Sequence, residues 1–149
     1  MPDFNFTYQG KKVRPWQLQQ GILGMESSWG KNTTPRYEEK FHKKLKENKK
    51  WLPTPAEQKV IKERGFEEAT KQFSTSYGPY QILPETAYRY TSFAGNPEDL
   101  AGPDSYKVWL ELMGRMHRLS GGNLEKAIPY WNQNPNYLNS MLQMVPWGK

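Results

Sequence analysis

The chain of 149 residues contains no cysteine, so neither a disulfide framework nor a thiolate metal site is open to it. Histidine is nearly as scarce. His42 and His117 are the only two, too few for a zinc centre, and no metal or other cofactor is expected. No run of about 18 apolar residues occurs, which argues against stable membrane insertion. The N-terminus, MPDFNFTYQGKKVRPW, lacks the basic start, apolar stretch and small-residue cleavage site of a secretory signal. The expectation is a protein made soluble in a cytoplasm, reaching any outside target by another route.

Alternating β patterns are scarce too, which leaves a mainly α fold with little or no β-sheet. Apolar residues make up only 36% of the chain, yet six Trp, nine Tyr and six Phe supply large buried areas per residue. This length fits one domain with its own core. With 21 basic and 15 acidic residues the net charge is +6, which suits a polyanionic partner such as nucleic acid, anionic lipid or bacterial cell wall, and equally a surface that only keeps the protein soluble.

Along the chain, the segment to Val13 reads as an irregular arm. From Pro15, a favoured first helical residue, Leu18, Ile22, Leu23 and Met25 build one apolar helix face that Trp29-Gly30 stops. A strongly basic stretch follows, with Phe41 and Leu45 at helical spacing. Thr54-Pro55 opens the next helix, in which Val60, Ile61 and Phe66 are candidates for burial, and Gly65 divides it in two. Gly78-Pro79 marks a turn and Pro84 starts a short helix. The strongest helical period runs through Val108, Trp109, Leu112, Met116 and Leu119 to Gly121-Gly122. A helix to about Trp131, a break at Pro135 and a helix containing Tyr137, Leu138, Met141 and Leu142 complete the chain.

Glu26 interrupts the first apolar face four residues after Ile22. A partly buried carboxyl group there can hold a proton near neutral pH, because low dielectric disfavours its charged form. An ordinary boundary Glu turned to water is the plainer reading, since carboxylates are rarely buried without a partner. A second stretch shifts the balance. SYGPYQILPETA sets a Gly turn, two aromatics and Gln81 just before a Pro-started helix.

Read together, LGMESSWG and SYGPYQILPETA resemble the catalytic signatures of the lytic transglycosylase and goose-type lysozyme families, in which a helix ending in Glu-Ser is followed by Gly-Leu-Met-Gln-Ile-x-Pro-x-Thr-Ala. Glu26-Ser27 matches the first element, and Gly78, Gln81, Ile82, Pro84, Thr86 and Ala87 match the second. The family's later Ala-Tyr-Asn-Ala-Gly-Pro can be laid on YWNQNP, where Asn132 and Pro135 match, Trp131 stands for Tyr and Asn134 for Gly. The resemblance implies a lysozyme-like helical fold with a substrate cleft over residues 1–149, and it departs from the family in a basic helical insertion at about 35–73.

What the resemblance implies chemically is cleavage of the β-1,4 bond between N-acetylmuramic acid and N-acetylglucosamine in bacterial peptidoglycan. Glu26 would be the general acid and base. In a lytic transglycosylase it returns to take a proton from the sugar's own C6 hydroxyl and leaves a 1,6-anhydro end. In a goose-type lysozyme water attacks instead, and Glu38 and Glu39 are the candidates for a second, water-orienting carboxylate; both also suit the exposed start of a helix. Transglycosylation is placed ahead of hydrolysis. Gln81 and Asn132 would bind N-acetyl and hydroxyl groups, and Tyr80 and Trp131 would stack on sugar faces or pack in the core. The family's Tyr is expected to hydrogen-bond the catalytic Glu. Trp131 can do so only as a donor, and Tyr130 would serve if the register shifts by one.

The small size, the insertion and the missing signal resemble phage endolysins or virion-associated muramidases, acting on the wall after release or from within a virion. A monomer is expected. A catalytically inactive wall-binding module is the alternative, supported by the replaced Tyr and altered glutamine motif. A nucleic-acid binder trails, because no such motif is present and no nucleic-acid partner is expected.

Overall fold

The computed structural model describes residues 4–147. The mainly α class is what it shows: eight α-helices and two two-stranded antiparallel sheets among the described residues. The chain divides into two compact units, residues 1–32 with 111–149, and residues 33–110.

The first unit opens with a hairpin where the sequence suggested an irregular arm. β1 (Phe6–Tyr8) pairs with β2 (Lys11–Val13), with Phe6 opposite Val13. The two turn residues Gln9 and Gly10 both have positive φ, 49° and 78°, the geometry that joins twisted strands through two residues. Phe6 and Val13 at the open end are fully buried, so two apolar residues suffice to seat the hairpin. The Thr7 amide donates to the Gly122 carbonyl at 2.8 Å, and His117 Nε2 lies 3.0 Å from the Asn5 carbonyl oxygen, tying the hairpin to the end of a later helix.

α1 (Pro15–Ser27) begins as expected, with Arg14 at the N-cap and the Gln17 side chain accepting the Arg14 amide at 2.9 Å. Leu18 and Ile22 are fully buried. Its partner is α8 (Tyr137–Leu142), and Gly21 sets their approach: a Cβ there would lie 2.5 Å from Met141 Sδ and 3.0 Å from Val145 Cγ2. α7 (Leu124–Trp131) is capped by Asn123, whose Oδ1 accepts the Lys126 amide at 3.2 Å. Its internal Pro129 removes a donor and the helix ends two residues later.

In the second unit, β3 (Arg36–Tyr37) pairs with β4 (Thr75–Ser76), and α2 (Glu39–Glu47), α3 (Pro55–Arg64) and α4 (Phe66–Phe73) are all strung between these two strands. α2 buries Leu45 and His42, while Phe41 is half-buried. Thr54 caps α3 reciprocally with Glu57: the Glu57 amide donates to Thr54 Oγ1 at 3.2 Å, and the Thr54 amide to Glu57 Oε1 at 2.9 Å. Val60 buries as expected. Phe66 does not, being 50% exposed at the start of α4, a position that faces water because Ala69, Thr70 and Phe73 make the inward face. α5 (Pro84–Tyr90), a short 3-10 turn (Pro97–Ala101) and the start of α6 (Asp104–Ser120) complete the unit. Along α6, Val108, Trp109, Leu112 and Met116 are buried, whereas Leu119 is 48% exposed near the helix end.

Candidate active site

Glu26 sits in the last turn of α1, half-buried. The helix ends one residue later, and its end is held by its own side chains. Ser27 Oγ accepts the Gly30 amide at 2.8 Å, and the Trp29 indole N–H donates back to the Gln20 carbonyl at 3.0 Å. Ser28 and Trp29 both take left-handed φ, 50° and 57°, ahead of Gly30 at 87°, so the turn expected at Trp29-Gly30 starts one residue early. The Glu-Ser element thus divides its labour: Glu26 presents a carboxyl group, and Ser27 shapes the helix end.

Two donors converge on one oxygen of Glu26. The Tyr137 hydroxyl donates to Oε2 at 2.6 Å, and the Trp131 indole N–H donates to the same Oε2 at 3.2 Å while lying 3.1 Å from the Tyr137 oxygen. The first distance is that of a short, charge-assisted O–H···O⁻ bond. Burial pushes the Tyr137 hydroxyl well above its usual range, and the Glu26 charge and hydrogen bond push it the same way. It therefore remains a protonated donor. Two donors on a carboxylate stabilise its anionic form, the form left after it gives up a proton.

The approach of α8 to α1 that Gly21 permits brings Tyr137, the first residue of α8, to Glu26. The connection from α7 is a run of asparagine turns. Asn132 Oδ1 accepts the Asn134 amide and Asn134 Oδ1 accepts the Asn136 amide, each at 2.9 Å. Asn132, expected from the sequence to bind substrate, is seen shaping this link. Trp131 reaches Glu26 as a donor through its indole N–H. The shifted register is corrected: Tyr130 is 51% exposed with the Arg115 guanidinium 5.8 Å over its ring, and the hydroxyl at Glu26 belongs to Tyr137. The sequence places Tyr137 in the final helix and gives it no role at the site. Its signal was a single buried-face tyrosine at a helix start, indistinguishable by pattern from packing.

The other sequence-derived residues lie in the second unit. Tyr77 and Ile82 exchange two backbone hydrogen bonds, 3.1 and 3.0 Å, which close the intervening turn. Only glycine fits at 78, where φ is 78° and a Cβ would collide with the Leu100 carbonyl. Gln81 has φ 50° and is buried. Its Nε2 donates to the Gly78 carbonyl at 2.9 Å, and its Oε1 meets no donor among the described residues. The stacking role considered for Tyr80 is corrected. Its ring is 4% exposed and lies on Trp109 with centroids 5.2 Å apart and planes 17° from parallel, so it packs the core. Glu38 and Glu39 occupy the exposed start of α2, where the helix dipole accounts for negative charge.

Both histidines have structural partners. His42, buried, lies 2.7 Å from the Tyr37 hydroxyl and 2.9 Å from Thr70 Oγ1, and His117 meets Asn5. Among the described residues no three His, Asp or Glu side chains cluster to hold a metal ion. No helix among them is long and apolar enough to cross a membrane. No family model matches the chain, and neither a curated protein nor a solved structure does.

Proposed function

We propose that the protein is a muramidase that cleaves the β-1,4 bond between N-acetylmuramic acid and N-acetylglucosamine in bacterial peptidoglycan, with Glu26 as its acid and base. The observation that carries this reading is the pair of donors, Tyr137 and Trp131, on Glu26 Oε2. The resembled family calls for an aromatic donor on this carboxyl group, and here a tyrosine outside the motif supplies the hydroxyl.

In the first step protonated Glu26 gives its proton to the bridging oxygen as the C1–O bond breaks and positive charge develops on the ring. The substrate's N-acetyl group assists from the opposite face. Tyr137 and Trp131 stabilise the carboxylate so formed. In the second step that carboxylate removes the C6 hydroxyl proton, the C6 oxygen closes on C1, and Glu26 is again protonated. The product carries a 1,6-anhydro end. Transglycosylation is preferred to hydrolysis because Glu38 and Glu39, the candidates for orienting water, are accounted for as a helix start. The positive charge draws the enzyme to an anionic wall, in a salt-dependent manner. Action on the wall follows release, or takes place from a virion.

The test is digestion of purified peptidoglycan by the protein and by Glu26→Gln, with the released muropeptides weighed. Anhydro products, one water lighter than reducing ends, are expected from the first and none from the second. Ordinary reducing ends would reassign the chemistry to hydrolysis. Equal activity in the Gln variant removes Glu26 as the acid, and no release by either protein favours a wall-binding module.

A further inference from the structure

We propose that Glu57 and Glu85 share one proton, forming a buried carboxyl–carboxylate joint that fastens the Trp51–Thr54 segment to α5. Glu57 lies in the first turn of α3 and is fully buried, and Glu85 lies in the first turn of α5 and is 9% exposed. The Oε1 atoms are well supplied. Glu57 Oε1 accepts the Thr54 amide at 2.9 Å and Arg89 Nη2 at 3.3 Å, and Glu85 Oε1 accepts the Trp51 indole N–H at 3.0 Å and Arg89 Nε at 3.1 Å.

The Oε2 atoms are the anomaly. Both are buried and neither meets a donor, although one guanidinium, that of Arg89, bonds both side chains and so holds the two carboxyl groups side by side. Two bare buried acceptors side by side repel. One proton between them gives a donor to one and a partner to the other, and so satisfies both.

The charges lead to the same count. The groups that face the pair are Arg89 and Tyr88 from α5, with the neutral Trp51 and Thr54 from the segment before α3. Burial pushes the Tyr88 hydroxyl far up, and it donates to the Gly95 carbonyl at 2.6 Å, so it contributes no cation. Among the described residues Arg89 is then the one cation paired with the two carboxyl groups, and it also serves the Leu52 carbonyl at 2.8 Å. Two buried carboxylates against one guanidinium leave a net buried charge, whereas one carboxylate, one carboxylic acid and one guanidinium are neutral. In accord with this, burial and the hydrogen bond to Glu85 push the Glu57 carboxyl up to about 8.

The joint has a mechanical consequence within this unit. Trp51 directly follows Lys49 and Lys50, so its bond to Glu85 anchors the far end of the lysine-rich stretch that begins in α2. Loss of the shared proton puts two like charges face to face, and the segment from Trp51 to Thr54 then loosens from α5. This inference stands independently of the muramidase reading, because it uses neither Glu26 nor any substrate.

The experiment is a carbon-13 NMR titration of the glutamate carboxyl carbons, with the Trp51 indole N–H followed in parallel. The Glu57 carboxyl is expected to titrate near pH 8, with the Trp51 resonance moving at the same midpoint. If both carboxyls titrate within the ordinary range, around pH 4 to 5, the shared proton does not exist. Glu57→Gln supplies an N–H in place of the shared O–H and cannot ionise, so its Trp51 resonance should be indifferent to pH near 8. A Trp51 transition in the variant matching that of the original protein would equally overturn the proposal. Should the variant not fold, the titration of the unaltered protein decides alone.

Discussion

The Tyr137 hydroxyl sits 2.6 Å from Glu26 Oε2, joining the first residue of α8 to the last turn of α1 across 111 positions of sequence. The bond gives Glu26 a donor that is not lost by ionisation near neutral pH, because burial and the Glu26 charge both hold the phenol protonated.

Tyr137→Phe keeps the ring and removes this donor. A hydrogen bond to a charged group contributes about 1.5–3 kcal/mol, so kcat/KM on soluble peptidoglycan fragments should fall about tenfold to a hundredfold. The loss belongs in kcat more than in KM. An unchanged kcat would leave Tyr137 as packing alone.

Gly21→Ala tests how Tyr137 reaches Glu26. The added methyl meets Met141 Sδ and Val145 Cγ2. Overpacking of this kind typically destabilises by about 1–3 kcal/mol, and the Met141 side chain can absorb part of it. Both melting temperature and activity should drop, with the Tyr137–Glu26 bond lengthened in the variant's structure. A variant as stable and active as the original would show that α1 and α8 have slack at this crossing.

Tyr80→Ala separates a core residue from a sugar platform. Removing a buried aromatic usually destabilises by about 3–5 kcal/mol, so a large fall in melting temperature is expected, with loss of the Trp109 stack. A variant that melts normally and loses only substrate affinity returns Tyr80 to the binding surface.

His42 carries a pH dependence opposite in sign to that of Glu57. Burial, with Lys46 adding, holds its pKa below the ordinary 6.5, so below about that pH the unfolded chain takes up a proton that the native protein resists. Stability contributed by neutral His42 is present above this range and declines as the pH falls. Glu57 keeps its proton to about 8 against an ordinary 4.5, so its contribution declines as pH rises through that window. Calorimetry of the protein and His42→Asn from pH 7 to 5 should show the original losing melting temperature faster. Parallel curves would mean His42 titrates normally.

Much of the helical layout was legible in the sequence, because its punctuation acts locally. Pro15, Thr54-Pro55, Gly65 and Pro84 set helix starts through fixed φ, side-chain caps and glycine breaks, whatever the rest of the chain does. Local patterns failed where burial was the question. Phe66 and Leu119 have the right spacing and face water, while Phe6 and Val13, three-residue strands in an arm without an evident period, are fully buried.

The sequence by itself determined which carboxyl group to single out: Glu26 lies at the end of an apolar helix face in company with Ser27 and the Gly78 to Ala87 motif. The tertiary structure alone decided that Tyr137 supplies its hydroxyl partner, that Tyr80 is core, and that Glu57 and Glu85 meet with one guanidinium between them. The physical reason is range. Capping, turn chemistry and helix period act over a few residues and leave a trace in the letters, but hydrogen bonding and desolvation of a carboxyl group depend on side chains tens of residues away. Their identity is decided only when the helices pack.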